Sequence, residues 1–333
     1  MPLKRYCRIS EQTRRRLRNC GFFVAVLAIG LAGCTSFDHL TTVTEEFPGA
    51  KDCGKCHVEI FREWSASDHA TAYVNPHYRQ VTDNYEFGDC LSCHVPQPMV
   101  SEGLPMARSM HRTEGITCVS CHLEEGKLSG PIEPTGKVAP HPVGVRPEFY
   151  KSSVICGSCH EGTFAEWQSV SDPDKKSCQD CHMSPVSRKV TQATGGFSNV
   201  IVGFEKEVAQ KRHDFAIAGT GLTEQPVSFE IERSGSDIVL VVINNLPHAL
   251  PTGDFGYRLL LIEVFAVSPR GNKLSLGERE FAKELGNAFE PMGAARWLLA
   301  LPPQTEKIRV NVRRQSYKGD PVLSLMDIEV SVQ

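Results

Sequence analysis

Hydrophobic and β-branched residues alternate in part with polar residues in a series of short runs after residue 195. The runs cover residues 227–233, 237–244, 257–267, 294–302, 306–314 and 324–332. Turn signals separate them, for example Ser234-Gly235-Ser236. Several short strands at this spacing predict an antiparallel β-sandwich. Between them, the segment GEREFAKELG (residues 277–286) fits either a short helix or part of a loop.

The beginning of the chain combines a basic stretch with one apolar run. The apolar residues 21–32, GFFVAVLAIGLA, follow a cluster of Lys and Arg residues. The run is too short to span a bilayer comfortably, and this order of regions predicts a secretory signal over residues 1–33. Its end, LAGC, resembles the lipobox of bacterial lipoproteins, which implies that Cys34 is acylated and anchors the mature chain in a membrane. An uncleaved short anchor, or an ordinary signal with a stray cysteine, is the alternative.

Removal of this leader makes the chain clearly acidic. The leader holds 7 of the 36 Lys and Arg residues and 1 of the 39 Asp and Glu residues, so 29 basic and 38 acidic residues remain, a net charge of −9. No basic block is left, and nucleic-acid binding therefore has no electrostatic footprint. We expect the partners to be redox proteins with basic docking patches.

Ten of the 13 cysteines lie between residues 53 and 181, and none follows residue 181. They form five copies of Cys-x-x-Cys-His, the attachment signature of c-type haem. The cysteines are Cys53, Cys56, Cys90, Cys93, Cys118, Cys121, Cys156, Cys159, Cys178 and Cys181, and the histidines are His57, His94, His122, His160 and His182. In this chemistry the two thiols form thioethers with the haem vinyl groups, and the histidine is the proximal iron ligand. The pattern predicts five covalently bound c-type haems.

Other uses of cysteine pairs explain the pattern less well. Zinc ribbons contain Cys-x-x-Cys, and an exported protein can contain a disulfide framework. Neither gives a reason for a histidine after every pair. Thioredoxin-like redox pairs usually occur singly, whereas this chain has five.

Five haems within about 130 residues leave too little chain to enclose each one separately. We therefore expect haems packed against one another, with aromatic residues such as Trp64 and Trp167 around them. The predicted architecture is an α-rich, loop-rich multihaem cytochrome c domain followed by the all-β sandwich. The predicted boundaries are a signal peptide (1–33), a tether (34–50), a haem domain (51–194) and a sandwich (195–333).

Seven further histidines can supply the second axial ligands of the five irons. His39 lies close to Cys34 and is expected to belong to the tether. The six candidates for distal ligands are His69, His77, His111, His141, His213 and His248. Because these candidates outnumber the five second axial positions, each iron is expected to bind two histidines. Met99, Met106 and Met183 are possible sulfur ligands, but packing is their expected role.

Several segments resemble the cytochrome c-554 family of multihaem cytochromes. The stretches are CGKCHVEIFREWSASDHATAY from Cys53, HRTEGITCVSCH from His111 and CQDCHM from Cys178. The resemblance covers about residues 50–220 and implies that His69 and His111 are axial ligands. Beyond the haem motifs, KRHDFAIAG and LPHALPTG resemble segments of multihaem cytochromes that reach back to a haem, which implies the same role for His213 and His248. His141 lies between two prolines that stiffen its backbone, and His77 lies in NPHY.

These observations favour an exported, lipid-anchored electron-transfer protein over an enzyme. Serial one-electron transfer through packed bis-histidine haems would connect membrane-linked oxidoreductases with periplasmic or surface partners. The alternative is a multihaem oxidoreductase that acts on a small nitrogen or sulfur compound at an open haem iron. In a third possibility, the β domain binds a partner or surface and the haems serve mainly as its electron supply.

Overall fold

The computed structural model describes residues 48–98, 105–135, 141–192, 202–219, 221–253, 255–317 and 319–332. The predicted signal peptide, Cys34, His39, Met99 and most of the predicted tether lie outside these residues. Residues Pro48–Gln333 form one compact unit. Within the described ranges, no helix is long and apolar enough to cross a membrane.

Short helices joined by loops form the first part of this unit. They are α1 (Ala50–Gly54), α2 (Val58–Ser65), α3 (Asp68–Thr71), α4 (Pro76–Val81), α5 (Leu91–His94), α6 (Cys118–His122), α7 (Pro147–Lys151), α8 (Val154–Gly157), α9 (Glu161–Ser169) and α10 (Cys178–His182). Local signals begin several of them. Asn75 caps α4 by accepting hydrogen bonds from two backbone N–H groups, and Pro76 occupies the first helical position, where a missing N–H costs nothing. The N-terminal region is thus helical, but its helices are brief and many coincide with the haem motifs.

Two small sheets lie among these helices. Strands β1 (Leu123–Glu124), β2 (Lys127–Gly130) and β3 (Val143–Val145) form one, in which β2 and β3 are parallel. Strands β4 (Pro185–Arg188) and β5 (Val208–Lys211) form an antiparallel pair. This pair brings the chain back to the helices after the last haem motif.

Two larger antiparallel sheets occupy the C-terminal part. The first has the order β10-β7-β6, and the second has the order β12-β11-β8-β9. The strands are β6 (Val227–Ser234), β7 (Asp237–Asn244), β8 (Leu259–Val267), β9 (Lys273–Phe281), β10 (Ala294–Leu299), β11 (Lys307–Gln315) and β12 (Leu323–Ser331). The strands predicted from the sequence correspond to six of these seven.

Both larger sheets contribute to one hydrophobic core. Alternate residues of β7, such as Ile238 and Leu240, are fully buried, as are Ile262 of β8 and Val310 of β11. Each such aliphatic side chain contributes about 1.5–3 kcal/mol by leaving water. The period-2 pattern of these strands therefore places their apolar faces against each other.

The segment that fits a helix or a loop in the sequence is strand in its first half and loop in its second half. Residues Lys273–Phe281 form β9, which pairs with β8. Gly277 has φ +140°, and a Cβ there would lie 2.9 Å from Cζ2 of Trp297. The glycine allows a bulge at this point, because only a residue without a side chain adopts this backbone conformation so close to the indole. Tertiary pairing therefore outweighs the helix propensity of the sequence.

Candidate haem-binding site

Each haem motif occupies about one helical turn. Residues Cys118–His122 and Cys178–His182 are α6 and α10 themselves. In the first motif the N–H of His57 donates to the carbonyl of Cys53 at 2.9 Å. Residues at positions i, i+3 and i+4 of such a turn lie on one face, so two thiols and one imidazole share that face. The described cysteines are free of disulfides, and their thiols are available for thioether formation.

Backbone carbonyls fix the orientation of four of the motif histidines. Nδ1 of His57, His94, His122 and His182 donates to the carbonyls of Val190, Ala72, Ser129 and Ala216, at 2.7–3.0 Å. An Nδ1–H bound in this way leaves Nε2 with its lone pair, and it increases the basicity of the ligand. Nε2 of each of these imidazoles can therefore bind a metal.

Four of the motif histidines face a second histidine from elsewhere in the chain. The ring centres are separated by 6.4 Å for His57 and His141, 6.2 Å for His160 and His69, 6.1 Å for His122 and His213, and 6.4 Å for His182 and His248. A metal–imidazole bond is about 2 Å long, so two imidazoles on opposite sides of one metal have ring centres about 6 Å apart. Each pair thus fits one haem iron between its rings.

Three of the four second members also have Nδ1 hydrogen-bonded to a backbone carbonyl. Nδ1 of His141, His213 and His248 donates to the carbonyl of Pro142, Lys211 and Ala249, at 3.3, 3.1 and 2.9 Å. Burial lowers the pKa of His69 to about 3, with a smaller contribution from His160. Burial likewise lowers the pKa of His213 to about 4. Both imidazoles are therefore neutral near pH 7, as iron ligation requires.

His94 differs from the other motif histidines. Its ring stacks on Tyr78 with the centres 3.8 Å apart, and within the described residues no imidazole faces it as in the four pairs. The hydroxyl of Tyr78 is buried without a hydrogen-bond partner, and burial raises its pKa to about 12. Tyr73 and Tyr85, which stack on each other at 4.4 Å, complete an aromatic cluster beside this motif.

Two of the six predicted distal ligands are placed differently. Nε2 of His77 bonds to Oδ1 of Asp320 at 2.7 Å, and its ring stacks on Tyr317. The nitrogen that would bind iron is thus already engaged. His111 has φ +51° and lies beside Glu114, with 4.0 Å between Nδ1 and Oε1. Five histidine pairs were expected, and the described residues form four.

Cysteines of different motifs lie in contact. The thiols of Cys53 and Cys118 lie close enough to shift each other's pKa, and so do those of Cys156 and Cys178. The thiols of Cys93 and Cys159 form a third such pair. The first motif is therefore adjacent to the third, and the fourth is adjacent to the second and the fifth.

Two glutamates that sequence reasoning missed hold the backbone at the histidines of the last two pairs. Oε2 of Glu63, in α2, accepts the backbone N–H of His213 at 3.0 Å. Oε2 of Glu166, in α9, accepts the N–H of Ala249 at 2.9 Å, next to His248. Both occur in a repeated segment, C-G-x-C-H-x-x-x-F-x-E-W, from Cys53 and from Cys156. That repeat was the signal that could have identified them.

Each glutamate also binds a basic side chain. Arg188 binds Glu63 through both terminal nitrogens, at 2.7 and 2.8 Å. Burial raises the pKa of Glu63, but Arg188, the His213 N–H and Arg212 outweigh it, and the net pKa is lowered. Lys283 pairs with Glu166. Burial raises the pKa of Glu166, but Lys283, the N–H of Ala249 and Thr252 outweigh it, and the net pKa is lowered.

Asn244 and Arg108 are further residues that the sequence did not identify. Asn244 is fully buried at the end of β7, and its Nδ2 donates to the carbonyl of His248 at 2.8 Å. Arg108 is 1% exposed and donates to the carbonyls of Pro96, Met110 and Gly115. These hydrogen bonds fix the conformation of the loop that precedes the third motif.

Comparisons with known proteins find one matching family and one similar fold. Residues 52–123 match the family model described as cytochrome c554 and c-prime. A penta-heme cytochrome c552 from Thermochromatium tepidum has a similar fold, with a TM-score of 0.57 and 16% identity over 86% of this chain and 99% of that chain. The structure of a structural-genomics target, SoR45, has a TM-score of 0.17 and 14% identity over 32% of this chain and 82% of that one, and it carries no argument. No curated protein matches the sequence.

The family match covers the first three haem motifs, and the structural match extends the likeness in fold across most of the chain. Electron transfer is the general role of such proteins. The chain is therefore a multihaem c-type cytochrome that resembles the cytochrome c554 family.

Proposed function

We propose that this protein is a pentahaem cytochrome that carries single electrons through closely packed haems. The observation that carries the proposal is the set of four facing imidazole pairs, each spaced for one iron. In this proposal each Cys-x-x-Cys-His motif holds one haem covalently. The haem supplies a one-electron redox centre when bound, and the protein supplies the axial ligands and the surroundings.

The proposed axial pairs are His57 with His141, His160 with His69, His122 with His213, and His182 with His248. Bis-histidine ligation leaves no free iron position, which suits electron transfer rather than chemistry on a substrate. His77 and His111 are left out of the proposed ligand set. The Nε2 atom of His77 is engaged by Asp320, and within the described residues neither ring faces a motif histidine as in the four pairs.

Contacts between motifs support close packing of the haems. Sulfur contacts link the first motif to the third, and the fourth to both the second and the fifth. Thioether bonds would form at these sulfurs, so haems attached there would have edges near each other. Short distances between edges favour electron hopping, which falls steeply with separation.

We propose that the two C-terminal sheets form a β-sandwich that contributes His248 to the haem region. The shared core of the two sheets supports this assignment. The proposed domains are a haem domain (51–194) and the sandwich (195–333). The acidic net charge of the mature chain favours redox partners with basic docking patches and gives no support for nucleic-acid binding.

We further propose that the protein is exported and anchored by lipid at Cys34 on the periplasmic side of a bacterial membrane or at the cell surface. The basic start, the apolar run and the LAGC sequence support this proposal. Mass spectrometry of the membrane-bound protein tests it, because an acylated N-terminal Cys34 is expected. An intact residue 1 in the mature protein would contradict it.

Haem counting by mass and low-temperature electron paramagnetic resonance test the electron-transfer proposal together. We expect five haems per chain and four low-spin bis-histidine signals. A count below five would refute the pentahaem proposal, and fewer than four such signals would refute the proposed ligand set.

His94 favours a second candidate function, reaction at an open iron. Its ring has no facing imidazole among the described residues, and the unpartnered Tyr78 hydroxyl is buried beside it. Such a site would suit a small nitrogen or sulfur compound. Carbon monoxide titration of the reduced protein separates the two functions. One molecule bound per chain, with turnover of nitrite or sulfite, supports the oxidoreductase, whereas no binding supports a carrier with five six-coordinate irons.

A further inference from the structure

The repeated segment C-G-x-C-H-x-x-x-F-x-E-W folds in the same way in both copies. A Cβ on Gly54 or on Gly157 would lie 2.7 Å from the ring of Phe61 or Phe164, so each glycine lets the ring close over its own motif. The phenylalanine and tryptophan ring centres are 5.7 Å apart in the first copy and 5.6 Å apart in the second.

Each copy also contacts a second haem motif in the same way. Nε1 of Trp64 donates to the carbonyl of Ile116, two residues before Cys118, at 2.8 Å. Nε1 of Trp167 donates to the carbonyl of Lys176, two residues before Cys178, at 2.9 Å. The thiols of the first cysteines of the two motifs lie close enough to shift each other's pKa in both copies. Motifs one and three, and motifs four and five, thus form two equivalent units.

Each of the two units also contains an equivalent glutamate, Glu63 in the first and Glu166 in the second. It lies six residues after the first motif's histidine in each unit, and it accepts a backbone N–H at or next to the histidine that faces the second motif. A basic side chain compensates its charge in both cases, Arg188 for Glu63 and Lys283 for Glu166. Thr252 adds a further hydrogen bond to Glu166 at 2.9 Å.

From these parallels we infer that the chain contains a duplicated two-haem unit, in which Glu63 and Glu166 are positioning residues for the distal ligands of the haems at His122 and His182. The inference rests on the proposed function, because it takes His213 and His248 as those ligands. Each glutamate fixes the backbone that carries the imidazole, and its negative charge lies close to that histidine.

Substitutions that separate shape from charge test this role. Alanine removes the acceptor, so Glu166→Ala is expected to weaken the low-spin signal that His248→Ala also changes. Glutamine keeps an acceptor oxygen but not the charge, and it leaves Lys283 uncompensated. Glu166→Gln is therefore expected to keep the low-spin signal and to raise the midpoint potential of that one haem. Glu63→Ala and Glu63→Gln should act in the same way on the haem that His213→Ala changes.

Matched controls lie in the same helices. Glu59 and Glu161 belong to α2 and α9, and Glu59→Gln and Glu161→Gln are expected to change no haem signal and to shift no potential specifically. Since Glu63 is buried, its alanine variant can fail to fold. The midpoint potential of Glu63→Gln then tests the positioning role in the first unit. Glu166 is more exposed, so its variants test the role in the second unit independently.

The histidine variants separate failure of this inference from failure of the proposed function. If His213→Ala and His248→Ala each change one haem but all four glutamate variants leave signals and potentials unchanged, only the positioning role is overturned. If the histidine variants change no haem, the ligand assignment and the positioning role are both overturned.

Discussion

Asn244 provides a quantitative test of how the His248 loop is held. Its side chain is fully buried. Nδ2 donates to the carbonyls of His248 at 2.8 Å and Glu290 at 3.0 Å, and Oδ1 accepts the N–H of Leu246 at 3.0 Å. Asn244→Ala removes all three hydrogen bonds and leaves their backbone partners without this compensation. At about 1 kcal/mol for each bond, we expect the free energy of unfolding to fall by about 3 kcal/mol.

Denaturant unfolding of the haem-loaded protein, followed by circular dichroism, measures this loss. The neighbouring Asn245 is a matched control, because its hydrogen bonds to Ser228 and Gln225 are exposed. Asn245→Ala is expected to change the free energy of unfolding by no more than about 0.5 kcal/mol. Equal losses of unfolding free energy in the two variants would refute the reasoning, because burial would then not determine how much these hydrogen bonds stabilise the fold. If the proposed ligation is correct, Asn244→Ala also broadens the low-spin signal that depends on His248.

Three further perturbations test other parts of the structure. His248→Ala should keep five attached haems by mass but alter one low-spin signal, and five unchanged signals would contradict the proposed ligation. Gly277→Ala should lower the free energy of unfolding by about 1–3 kcal/mol in thermal unfolding, because of the φ of +140° and the nearby Trp297. Gly271 also has a positive φ, +79°, but open space around it. Gly271→Ala should therefore cost less, and the reverse order would exclude a steric contribution from Trp297. Arg108→Lys should lower the free energy of unfolding by about 3 kcal/mol or more, because several buried carbonyls lose their donors. A loss as small as that of the exposed Arg62→Lys would show that these bonds contribute little.

The sequence alone determined the haem motifs and most of the strands. A Cys-x-x-Cys-His motif needs only one helical turn, so its geometry is local and visible in the spacing. The β-branched runs of β7, β8 and β11 are equally local, because alternation along one strand defines its buried face. The multihaem class of the protein follows from these local features.

Tertiary structure decided which histidines meet. His57 faces His141 and His182 faces His248, and in each pair more than 60 residues of chain separate the partners. Counting histidines predicted a surplus of ligands, but it could not show that His77 is held by Asp320 or that His94 stands apart from the four pairs. Only the three-dimensional path of the chain brings particular side chains to opposite sides of one site. The same applies to β9, whose strand conformation comes from pairing with β8, and to Glu63 and Glu166, whose contacts join segments distant in sequence.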